Sequence, residues 1–297
     1  MRTDSIKAIL KKAPLILLFY LASGFFLRWY QLRNELLYDG SLVEGAIMHR
    51  VLFLLPVTLI FGFGFLVYGL ENIATHKNAF SKGALPYSAQ LVAGVLMFAG
   101  NLLHLSYPAD LSMVYTPVSV VMIRYLPYLG LLSGVMFILF ATKTRSGKTP
   151  SPLLYMAVSV YLVVRLIVNF QTWNMDPSIH DYAFKLLGSI AAMLSCFQIA
   201  GFSFGKGKRR ITIIWCICAA FFTAVSIPDY MIAHGIITFY YAGVSGFVRD
   251  QLPDLLVNSS LLLLTLTHGL QLIFAPDPIE DIPSEEVTPE FSLEDPQ

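Results

Sequence analysis

Apolar stretches long enough to cross a bilayer recur at about 13–31, 51–70, 88–106, 118–141, 152–171, 182–204, 211–228 and 254–275. A hydrocarbon core about 30 Å thick needs about 20 helical residues at about 1.5 Å each, so each stretch predicts one transmembrane helix. Backbone at that depth has no water to bond, which makes the helix the spanning element for segments of this length. The pattern predicts an all-α polytopic bundle of about eight helices, with residues 1–275 as a single transmembrane domain.

Two stretches need separate treatment. The first window follows Lys7, Lys11 and Lys12 as a signal peptide would, but no A-x-A cleavage site comes after it. Arg28-Trp29-Tyr30 stands there instead and reads as an interfacial anchor on a retained span. Residues 231–248 are apolar enough for a ninth helix. Only Pro228-Asp229-Tyr230 separates them from the seventh window, and Gly235, Gly243, Gly246 and Tyr240-Tyr241 suit an interfacial or re-entrant element. The expectation is eight spans plus an outer-face element, which residues 32–50 would extend into a lip.

Composition supports the same class. The AVILMFWYC residues make up 56% of the 297-residue chain and charged residues 13%, about half the roughly 25% charged content of soluble domains. An ordinary soluble globule is excluded.

Charge orients the spans. Basic residues gather before the first span (Arg2, Lys7, Lys11, Lys12), after the second (Lys77, Lys82), after the fourth (Lys143, Arg145, Lys148) and after the sixth (Lys206, Lys208, Arg209, Arg210). The later alternate connections carry acids instead: Asp110, Asp176, and Asp229, Asp250 and Asp254 against Arg249. The positive-inside rule then predicts a multi-pass cell-membrane protein with both termini cytoplasmic. Residues 276–297, acidic and proline-rich, read as a disordered cytoplasmic tail. Cys196, Cys216 and Cys218 fall within spans and read as packing residues.

Ionisable groups inside spans cost about 2.5–3.5 kcal/mol near the centre, so the candidate chemistry lies with them. Arg124 and Arg165 fall about 9–10 Å below the outer boundary, and Lys185 is shallower. Polar neighbours share their faces. Gln90, Gly94, Met97, Asn101 and His104 form one stripe on the third span, Arg165 and Asn169 are i,i+4 partners above Tyr161, and Asn258, Thr265 and His268 line one side of the eighth. The candidate ligand-binding residues are therefore Arg124, Arg165, Lys185, Asn101, His104, Asn169 and Asn258.

Arg124, Arg165 and Lys185 against Asp181 leave a surplus of two positive charges, and a buried surplus needs an anion. Rim acids such as Asp110, Asp176 or Asp229 would supply it from the protein. A carboxylate or phosphate entering from outside would supply it as a ligand, gripped by an arginine fork. The leading expectation is a sensor or transporter for a small anionic ligand. The alternatives are a membrane-embedded enzyme acting on lipid or peptide, and a non-catalytic subunit with a cytoplasmic or membrane protein partner at the basic loops or the acidic tail.

Other motifs add little. Gly243-Val244-Ser245-Gly246 resembles, over four residues, the serine motif of rhomboid intramembrane proteases, which implies a serine–histidine pair with His234 or His268 as base. His49, His104, His180 and His234 fall on the outer side, but without H-E-x-x-H or H-x-x-x-H spacing. Glu71 and His76 are expected to pair with Lys77 or nearby basic loops. Asn258-Ser259-Ser260 is a glycosylation sequon placed at the start of a span. No phosphate-binding glycine loop occurs, so neither catalytic residues, metal, cofactor nor nucleic acid are expected; the bilayer itself is.

Overall fold

A computed structural model describes residues 9–35, 42–107, 117–173, 179–233 and 251–276. The helices are α1 (Ala13–Asn34), α2 (Met48–Tyr68), the single-turn α3 (His76–Ala79), α4 (Ala84–Ser106), α5 (Pro117–Arg145), α6 (Leu153–Trp173), α7 (Ile179–Ser203), α8 (Arg209–Pro228) and α9 (Leu252–Phe274). A π-helical turn, Asp229–Ala233, continues α8. All but α3 are long and apolar enough to cross a membrane, so the protein is an all-α, multi-pass bundle with eight spans among the described residues. Local chemistry sets the boundaries. Pro14 and Pro253 occupy the first turns of α1 and α9, where a missing N–H costs nothing. Past the ends of α5 and α7, Gly147 and Gly205 adopt φ of 71° and 70°, and the next residues bond back to the Lys143 and Gly201 carbonyls.

Six helices form a ring. α4, α5, α6, α7, α8 and α9 pack in sequence, and α9 closes against α4. α1 and α2 lie outside it against α8, which makes α8 the most buried span, with 72% of its apolar window inside the protein. In lipid, close packing of small residues does what hydrophobicity does in water. A Cβ added at Gly94 of α4 would sit 3.0 Å from the Gly134 carbonyl oxygen of α5, and one at Gly100 would sit 2.7 Å from that of Pro253. The three cysteines are free and buried in this packing, as expected.

The basic segments after the second, fourth and sixth spans meet at one end, where α1 also begins. The guanidinium of Arg210 lies over Tyr68, joining the start of α8 to the end of α2, and that of Arg145 lies over Tyr87, joining the end of α5 to the start of α4. Arg209, buried at the start of α8, donates to the carbonyls of Leu272, Ile273 and Ala275 at the end of α9 and to that of Glu71. By sequence Arg209 falls among the basic residues of the connection after the sixth span. It instead caps a helix C-terminus, where unpaired carbonyls and the helix dipole favour a cation.

With the start of α8 beside the end of α9, the two spans are antiparallel and the chain between them starts and finishes at the opposite, far end. Beyond Ala233 the stretch 231–248, with Ser245 and His234, lies outside the described residues, as do Asp110, Asp176 and the tail from Asp277.

Candidate functional site

A cavity of about 400 Å³ opens at the far end among α4, α5, α6 and α9. Its walls carry five of the seven residues singled out from the sequence: Asn101 and His104 from α4, Arg124 from α5, and Arg165 and Asn169 from α6. Tyr161 and Asp254 complete the polar lining. Helical spacing explains the convergence, since Asn101 and His104 share the α4 stripe and Tyr161, Arg165 and Asn169 follow one another by single turns.

Arg165 is the buried cation of the site. Its Nη2 donates to Asp254 Oδ1 at 2.8 Å and its Nη1 to Asn258 Oδ1 at 3.4 Å. His104 Nε2 stands 3.6 Å from the same Asp254 oxygen. Arg165 is 3% exposed, whereas the Asp254 side chain keeps 34% of its surface open. Arg124 is exposed, and among the described residues it enters no ion pair. At the floor, the Asn101 side chain donates to the Met97 carbonyl at 2.8 Å, accepts from the Tyr161 hydroxyl at 3.3 Å and presses against Gly130.

The remaining two candidates lie beside the cavity. Asn258 touches it through Arg165. Lys185 stands apart, with its ammonium 4.8 Å from the centre of the Tyr230 ring, and the side chain of Asp181 lies outside the described residues.

The charge count from sequence is therefore corrected. Asp254 belongs to the first turn of α9, where the helix N-terminus favours an acid, and not to the preceding connection. Asp229 also turns inward. It accepts from Arg28 Nε at 2.7 Å with both side chains fully buried, and Arg28 Nη1 donates to Gln31 Oε1 at 2.6 Å. Arg28 is thus a bundle residue and not the interfacial anchor its neighbours Trp29 and Tyr30 implied. It shares a helix face with Gly24, where α1 comes close enough to α8 that an added Cβ would lie 2.8 Å from Val225. Among the described residues around the cavity, the guanidiniums of Arg124 and Arg165 face one carboxylate, Asp254, which leaves a surplus of one positive charge from these three.

A second polar cluster escaped sequence reasoning as a unit. Near the basic end the Tyr155 hydroxyl bonds His268 Nε2, and His268 Nδ1 lies 3.2 Å from Gln271 Oε1 and 3.4 Å from Gln90 Nε2. Gln90 donates to Gln271 at 3.0 Å. His268 therefore belongs to a closed network with Tyr155, Gln271 and Gln90. Gln90 and His268 were each on polar stripes; Tyr155, among many aromatic residues, carried no signal. His76 is also corrected. It is buried against Phe80, Phe140 and the Thr144 hydroxyl, 3.4 Å away, instead of pairing with Lys77, and burial lowers its pKa to about 4. Among the described residues, no group of three or more His, Cys, Asp or Glu side chains is placed to hold a metal.

No family model, curated protein or solved structure matches the chain.

Proposed function

We propose that this multi-pass membrane protein binds a small anionic ligand in the far-end cavity, as a sensor or transporter. The observation that carries this reading is the presence of Arg124 and Arg165 in one cavity where, among the described residues, Asp254 is the one acid in the lining. By the positive-inside rule the basic end faces the cytoplasm of the cell, so the cavity opens outward. Its volume suits a small molecule.

The chemistry assigns roles. Arg124, at the exposed mouth, attracts a carboxylate or phosphate. Arg165 offers a second guanidinium deeper in, for which the ligand competes with Asp254. Asn101, Asn169 and Tyr161 supply neutral hydrogen bonds that select shape. Binding then exchanges the Arg165–Asp254 pair for an Arg165–ligand pair, so occupancy would alter how α6 and α9 are held together. Titration calorimetry of the purified protein with small carboxylates and phosphates tests the reading. It requires at least one of them to bind wild type and to bind Arg124→Gln at least about tenfold more weakly, about 1.4 kcal/mol.

A further inference from the structure

A larger cavity, about 1040 Å³, lies at the basic end, where the first turn of α1, residues 77–82, the start of α4 and the end of α9 meet. Its walls change character with depth. Lys77 and Lys82 stand at the rim, and the Lys82 ammonium reaches the turn after α5, 2.6 Å from where Gly147 would carry a Cβ. Leu85, Ala89, Leu270 and Phe274 form the apolar walls of the cavity, Leu85 and Phe274 with exposed side chains. Ala89 is five residues beyond Ala84, the first residue of α4, about 7.5 Å along the helix and hence on the hydrocarbon side of Lys82. The space would take on the order of 35 waters at about 30 Å³ each, more than its few polar wall groups, Asn78, Ser81, Thr267 and Gln271, would hold. Hydrocarbon fills such a groove, and two ammonium groups above it call for an anionic head. Among the described residues neither lysine enters an ion pair.

We propose that this groove binds one anionic phospholipid, with its phosphate at Lys77 and Lys82 and its acyl chains along Leu85, Ala89, Leu270 and Phe274. Basic pockets between helices at a membrane surface recognise such headgroups.

The site is joined to the bundle core. Phe80, between the two lysines in sequence, is buried in the basic end of the ring, where it meets Phe140, Phe202 and His268. The Ser81 carbonyl accepts from Gln271, a member of the Tyr155–His268 network. A phosphate holding both lysines therefore holds Phe80 in place as a plug. This proposal is independent of the far-end cavity.

Native mass spectrometry of the full-length protein, with phosphatidylglycerol and phosphatidylcholine of identical chains, tests it. One phosphatidylglycerol should be retained with about thirty-fold preference, the effect of two lysine contacts of ordinary strength. Lys77→Gln/Lys82→Gln should abolish the preference and Lys206→Gln/Lys208→Gln should keep it. Ala89→Trp, which fills the deep wall and leaves the charges intact, should displace the lipid. Hydrogen exchange of residues 76–83 should slow when phosphatidylglycerol is added and stay unchanged with inorganic phosphate. Equal retention of both lipids, equal loss in the Lys206/Lys208 control, retention in Ala89→Trp, unchanged exchange on adding phosphatidylglycerol, or slowing by phosphate alone would each overturn it.

Discussion

Arg165 of α6 and Asp254 of α9 meet at 2.8 Å across the ring, although their helices are not neighbours in it. One contact thus ties two opposite walls together and sets the charge of the cavity between them. An incoming anion competes with Asp254 for the same guanidinium.

That competition gives the first prediction. Asp254→Asn should bind a small anion about tenfold more tightly than wild type, because Arg165 is released, and should melt at a lower temperature, because a buried cation has lost its partner. Arg165→Gln should lose both binding and stability. Arg165→Lys should bind poorly as well, since an ammonium cannot reproduce the planar fork. Calorimetry and thermal unfolding of the three variants provide the comparison.

The Arg28–Asp229 pair is predicted to be structural. Both side chains are fully buried, so Asp229→Asn strands a cation and should cost about 3–5 kcal/mol. Anion affinity, measured below the new melting temperature, should stay within about twofold of wild type. A large affinity loss at unchanged stability would reassign the pair to the ligand site.

His76 predicts an acid-sensitive basic end. The unfolded chain takes up a proton near pH 6.5 and the buried imidazole only near 4. The contribution is complete above about pH 6.5 and is lost as pH falls toward 4, about 3 kcal/mol in all. His76→Leu should therefore show a shallower fall of melting temperature than wild type over that window. Parallel curves would refute this.

Topology is testable with thiol reagents, because Cys196, Cys216 and Cys218 are buried and give little background. In intact cells an impermeant maleimide should label Glu44→Cys at the far end and spare Ser146→Cys at the basic end. The opposite labelling would put the cavity in the cytoplasm.

Much of the fold was legible in the sequence because lipid imposes a simple rule on length and polarity. The eight spans and the gathering of basic connections at one end both follow from it. Local spacing likewise put Asn101 with His104 and Arg165 with Asn169 on common helix faces, and each pair lines the same cavity. Pairings between distant positions were not legible. Arg28 and Asp229 are 201 residues apart and Tyr155 and His268 are 113 apart, so no periodicity links them. Asp254 was misplaced for another reason. It stands at the edge of its apolar window, where hydropathy assigns an acid to the loop, yet the first turn of a helix also favours one. Trp29 and Tyr30 similarly hid Arg28, because their interfacial character says nothing about which way the arginine faces.

The anion site itself is tested most directly at Arg124, whose exposed position at the mouth separates binding from folding. Melting temperatures of purified wild type and Arg124→Gln should be compared with and without a panel of small carboxylates and phosphates. Without additive the two should melt within about 2 °C of each other, the scale of a surface substitution. At least one anion should then raise the wild-type value by several degrees and leave Arg124→Gln unchanged. Equal stabilisation of both proteins, or of neither, would contradict a ligand site built on Arg124 and Arg165.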